Sequence, residues 1–151
     1  MARRFAVLAL FIGTLLIGAA YASAFAPGGA PAWGAWSMAL GVAVMMVAAM
    51  ILGAARPGVR LGGLWGVFAF MFVLIAGCFG AALALPAEEA GSALLLGLPR
   101  RAAILMYGIG LLPIFVLPVA YAMTFDRVTL SEADLARVRE RAAALRAEAG
   151  R

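Results

Sequence analysis

Residues 5–26, 32–54, 61–85 and 102–125 form four runs that contain no Asp, Glu, Arg or Asn. Each run is about the 20 residues a helix needs to cross a hydrocarbon layer of about 30 Å at a rise of 1.5 Å per residue. Inside lipid every backbone N–H and C=O must be satisfied within the protein, so runs of this length and spacing point to helices. The expected fold is therefore all-α: a polytopic membrane protein whose residues 1–127 form a four-helix transmembrane bundle. Residues 128–151 are expected to add a C-terminal cytoplasmic amphipathic helix.

Composition agrees with this reading. Hydrophobic residues make up 66% of the chain and charged residues 13%, about half the charged share of an ordinary soluble domain. The net charge of +5 raises the question of nucleic acid. However, the arginines lie between and after the apolar runs, where orientation in a bilayer requires them, and they form no basic patch. No nucleic-acid partner is expected. All twelve basic residues are arginine, a coding bias that points to a bacterial source and hence to the cell inner membrane.

The chain has no histidine and one cysteine, Cys78. An internal disulfide is impossible and the commonest zinc and haem ligands are missing, so no metal site and no cofactor are expected. Met38, Met45, Met46 and Met50 read as core or lipid-facing filler.

Taken in order, Arg3 and Arg4 precede the first run. Those arginines, the apolar segment and Ala22-Ser23-Ala24 also fit a signal peptide with its cleavage site, but the run is long for that, and retention is the expectation. The segment 26–31, with Pro27, Gly28, Gly29 and Pro31, cannot continue a helix and reads as a short external turn. Trp33 and Trp36 open the second run at interfacial depth. Arg56 and Arg60 bracket a basic turn.

The third run carries Gly62-x-x-x-Gly66, with Gly77 and Ala81 repeating the small-residue spacing. Such a spacing lets two helix backbones approach and marks a candidate packing face. Residues 86–99 are the one sizeable external segment, with an apolar piece, residues 93–98, expected at the interface. The Glu88-Glu89 pair has no His, Lys or polar cluster beside it, so a solvated turn pairing with Arg100 and Arg101 is expected, and catalysis is not.

Arg3, Arg4, Arg56, Arg60 and six arginines after residue 125 fall on one side, against Arg100 and Arg101 on the other. The arginine-rich side should be cytoplasmic, with both termini inside. Within the runs the polar inventory is Thr14, Ser23, Ser37, Cys78, Tyr107, Tyr121 and Thr124. Pumps, proton channels and intramembrane hydrolases need ionisable groups at depth, and none is present. Pro113 and Pro118, preceded by Gly108 and Gly110, predict a kink in the fourth run.

In the tail, Thr129 and Glu132 have capping-box spacing and Asp134 suits a first helical turn. Leu135, Val138, Ala142, Leu145 and Ala149 recur at spacings of three and four, a narrow seam too short for a self-sufficient coiled coil. Arg137, Arg139, Glu140, Arg141 and Arg146 lie between them. The seam needs a surface, either lipid or protein, and the near balance of six arginines and five acids after residue 125 favours protein. The sequence thus points to a non-enzymatic accessory or assembly subunit of a larger membrane protein, such as a solute symporter. Its partners are the bilayer, that larger protein and, as an alternative, further copies of itself. The competing expectations are an autonomous carrier or channel built on the kinked fourth run, and a regulator whose tail binds a soluble protein.

Overall fold

The computed structural model describes residues 2–55, 61–89, 91, 93–128 and 132–149. The fold is all-helical, and the only extended pairing among the described residues is a single bridge between Leu95 and Leu98. Helices α1 (Ala2–Ser23), α2 (Ala32–Ala54) and α3 (Trp65–Ala84, preceded by a 3₁₀ turn at Leu61–Gly63) are followed by one long composite helix. That helix runs as α4 (Arg100–Ala103), a π segment (Ile104–Leu111) and α5 (Leu112–Val128), before the terminal α6 (Glu132–Ala149). Among the described residues, four helices are long and apolar enough to cross a membrane: Ala2–Ser23, Ala32–Ala54, Leu61–Ala84 and Arg100–Met123.

Each of the four packs chiefly on its neighbour in the chain, and the tightest pair is the antiparallel hairpin α1–α2. Its reason is in the side chains. Ala6, Gly13 and Ala20 are buried at seven-residue intervals along α1, the repeat that keeps one seam of a helix facing a partner. On α2 the facing positions are Gly34, Ser37 and Gly41. At Gly13 a Cβ would stand 3.0 Å from the Gly41 carbonyl oxygen and 3.1 Å from the Met45 nitrogen; at Gly41 it would stand 2.8 Å from Ile17 Cγ1. Backbone thus approaches backbone, which is how helices gain contact where burial from water supplies no drive.

The core cluster is Ala6, Ala43, Val47, Ile51, Leu61, Phe68, Met71 and Ile75. It draws on the start of α1, the end of α2 and the first half of α3, so the best-packed end is the one carrying the N-terminus. Trp65 sits there edge-on to Phe5, with centroids 6.4 Å apart, and to Phe68 at 6.1 Å. Outside this cluster the surface is strongly apolar: Leu8, Phe11, Leu15, Val73 and Phe115 are each more than half exposed. Such a surface suits a membrane-embedded protein and not one surrounded by water.

Three hydroxyls in the apolar helices donate to carbonyls. Thr14 donates to Leu10 O at 2.9 Å and Ser23 to Ala20 O at 2.7 Å, while Ser37 reaches across the hairpin to Leu16 O at 3.0 Å. A hydroxyl satisfied in this way can sit in hydrocarbon without an unmet donor.

Candidate functional site

Polar contacts converge where α3 ends and the composite helix begins. Leu85 precedes Pro86, whose ring disfavours helical backbone in the residue before it, and Leu85 accordingly leaves α3 extended at φ −67°, ψ 143°. Its carbonyl accepts a hydrogen bond from the Arg101 guanidinium, while Arg101 Nε is buried with no partner. The Arg101 backbone N–H, one of the amides a helix start leaves unmet, donates to Glu88 Oε1 at 3.1 Å. A carboxylate also complements the positive end of the helix dipole. Glu88 therefore engages the backbone of Arg101, and the Arg101 side chain goes to Leu85.

One helical stretch further on, the Tyr107 hydroxyl donates to Leu96 O at 3.1 Å. This holds a tight turn in which Leu95 and Leu98 exchange backbone hydrogen bonds of 2.7 and 3.1 Å. The central residues Leu96 and Gly97 have φ of 51° and 84°, a pattern usually built from Asn-Gly. A leucine there costs roughly 1 to 2 kcal/mol. The turn offers Leu94, Leu95 and Leu96 outward, all at least half exposed. A cavity of about 180 Å³ lies between this segment and the helix start, lined by Leu85, Pro86, Ala87, Glu88, Ala93 and Arg100. The groups present tie a loop to two helices.

Below it the π segment contains Gly108 and Gly110, and the Leu112 N–H closes a five-residue bond to Tyr107 O. Pro113 follows with no N–H to give. A Cβ at Gly108 would overlap Cys78 Sγ, so the cysteine of α3 is a packing knob against a glycine of the π segment. Pro118 lies inside α5. The fourth helix meets α3 through α4 and the π segment. Beyond them Ile114, Phe115, Val119 and Met123 are exposed by 59% or more.

The other positions singled out by the sequence fall as follows. Among the described residues, and apart from the local backbone, no atom comes within 4 Å of where a Cβ would stand at Gly62, Gly66 or Gly77, and Ala81 is exposed. This small-residue face of α3 is therefore turned away from the chain's own helices. The close approaches are instead at Gly13, Gly34, Gly41 and Gly108. In α6, Leu135 is half-buried, and Val138, Ala142 and Leu145 are exposed. The Thr129 and Glu132 capping box lies outside the described residues. Compared with protein-family models, curated proteins and solved structures, the chain matches none.

Proposed function

We propose that this is a small non-catalytic integral membrane protein serving as an accessory or assembly subunit of a larger membrane complex, for example a solute symporter. The supporting observation is the fourth apolar helix. Only 6% of its most apolar window is buried within the chain, against 17%, 33% and 22% for the other three. A helix attached to its bundle through one half leaves the other half as a face for a second membrane protein. The arginine distribution sets both termini in the cytoplasm, where α6 follows directly from the partner-facing helix. Its seam of Leu135, Val138, Ala142 and Leu145 serves as a second, amphipathic contact with the same partner.

The test is purification of the unmodified protein in mild detergent, with a larger membrane protein expected in fixed stoichiometry. Replacing Leu135, Val138 and Leu145 together with Asp removes about 1.5 to 3 kcal/mol of burial per side chain and sets carboxylates against an apolar surface. Association should fail while membrane insertion persists. A parent that purifies alone, together with a triple variant indistinguishable from it in cells, would overturn the accessory role.

One observation favours a second reading, an autonomous carrier or channel. π turns interrupt helices frequently at functional sites, and this one adjoins Pro113. On that reading Pro113→Ala with Pro118→Ala should abolish transport of a solute, and the tail substitutions should leave it intact.

A further inference from the structure

We propose that the cavity between the 86–99 segment and the start of the composite helix is a binding site for a phosphatidylethanolamine headgroup, with Arg100 on the phosphate and Glu88 on the ammonium. Both charged side chains line the same cavity of about 180 Å³, whose remaining wall is Leu85, Pro86, Ala87 and Ala93. They do not neutralise each other, because among the described residues no ion pair joins Glu88 to Arg100. One Glu88 oxygen, Oε1, accepts the Arg101 amide, which steadies the carboxylate and leaves it capacity for a further donor. Arg101 turns its guanidinium to Leu85 O, so the cation lining the cavity is Arg100, which is exposed.

Size and position narrow the occupant. Pockets for drug-sized ligands run to about 300–1,000 Å³, so this one takes a small group. It lies where α3 has ended at Ala84 and the fourth apolar helix begins at Arg100. The ends of membrane-crossing helices stand level with lipid headgroups, which flank a hydrocarbon core of about 30 Å. Leu94, Leu95 and Leu96 follow Ala93 in the chain and are at least half exposed, an apolar surface for the acyl chains. Charge then selects among headgroups. A guanidinium can take two phosphate oxygens. Glu88 repels a second negative group and accepts from a primary ammonium, whereas a trimethylammonium has no N–H to give. A wholly anionic ligand meets Glu88 and a wholly cationic one meets Arg100, so the pair favours a zwitterion. This inference rests on membrane embedding alone and is independent of the accessory role.

Native mass spectrometry of the purified chain tests it, by titration in detergent with phosphatidylethanolamine, phosphatidylcholine and phosphatidylglycerol of identical acyl chains. Phosphatidylethanolamine should bind on the order of threefold to tenfold more tightly than either of the others, the size of one partly exposed charged contact. Glu88→Gln keeps an acceptor for the Arg101 amide and should bring phosphatidylethanolamine and phosphatidylcholine to parity. Arg100→Gln should weaken phosphatidylethanolamine by a similar factor, and circular dichroism checks the helicity of both variants. Equal retention of phosphatidylethanolamine and phosphatidylcholine by the parent overturns the proposal without either variant, and so does a preference that survives Glu88→Gln in a folded chain. Tighter binding of phosphatidylglycerol than of phosphatidylethanolamine would mean that Arg100 acts without Glu88, and overturns it too. Glycerophosphoethanolamine, the headgroup without its acyl chains, should displace the lipid only in large excess; displacement at equal concentration would assign the cavity to a soluble zwitterion and overturn the lipid assignment.

Discussion

Gly13→Leu should separate the α1–α2 hairpin, and the size of the effect follows from the distances at that crossing. A Cβ at residue 13 would already lie 3.0 Å from Gly41 O, 3.1 Å from Met45 N and 3.2 Å from Met45 Cβ. Two of those neighbours are backbone, which cannot swing aside as a side chain can. The remaining leucine atoms have no space unless α2 moves, and overpacking of this kind costs about 1 to 3 kcal/mol. Gly18→Leu on the same helix is the control, because nothing lies within 4 Å of its Cβ position. Leucine is the better helix former by about 0.8 to 1 kcal/mol, so Gly18→Leu should be neutral or mildly stabilising. The propensity gain is common to both variants and cancels, so the contrast between them should be about 1 to 3 kcal/mol. Reversible unfolding in mixed micelles with rising dodecyl sulfate, followed by tryptophan fluorescence and circular dichroism, measures it. Gly41→Leu should cost a similar amount, and the double variant less than the sum, since both act on one contact. If Gly13→Leu and Gly18→Leu agree within about 0.5 kcal/mol, the hairpin is not built on glycine contact.

Three further outcomes follow from the polar and sulfur contacts. Ser37→Ala removes the bond to Leu16 O and should cost about 0.6 kcal/mol in the same titration. Arg101→Met keeps the stem but strips the donor from Leu85 O, and should cost about 1 to 3 kcal/mol; Glu88→Gln, which retains an acceptor for the Arg101 amide, should cost less. Cys78, packed on Gly108, should react slowly with a water-soluble maleimide in intact membranes, and rapid labelling would mean that water reaches mid-helix and would favour the carrier reading.

The four long helices were legible because their length is fixed by one dimension, the thickness of hydrocarbon, and an uncharged run of that length has few other uses. Their mutual packing was less so. Attention goes naturally to Gly62 and Gly66, the familiar four-residue spacing, yet those positions face away from the chain. The contact that forms, at Gly13 and Gly41, was written as a seven-residue recurrence of small residues through Ala6, Gly13 and Ala20, a signal visible in the sequence but easily lost among eighteen glycines. The π segment was only half legible: Gly108, Gly110 and Pro113 announce an irregular turn, but the packing of Cys78 against Gly108 is a tertiary contact that no local signal announces. The backbone of Leu96 was not legible at all, since local preference argues against leucine at positive φ, and the bonds that hold its turn, from Tyr107 and between Leu95 and Leu98, are set by the fold. The link from Glu88 was anticipated as ion pairing with the arginines. Its carboxylate accepts from a helix-start amide, that of Arg101, a contact that reading charges along the sequence does not announce.

The accessory role predicts that the exposed half of the fourth helix touches another protein in the living membrane. Site-specific photo-crosslinking from Phe115 and from Val119, with a photoreactive amino acid replacing each in turn, tests this directly, and the outward-facing Leu8 of α1 provides the comparison. The account predicts one discrete adduct with a larger membrane protein from Phe115 or Val119, absent from Leu8 and lost without illumination. Adducts with lipid alone from all three positions would contradict it.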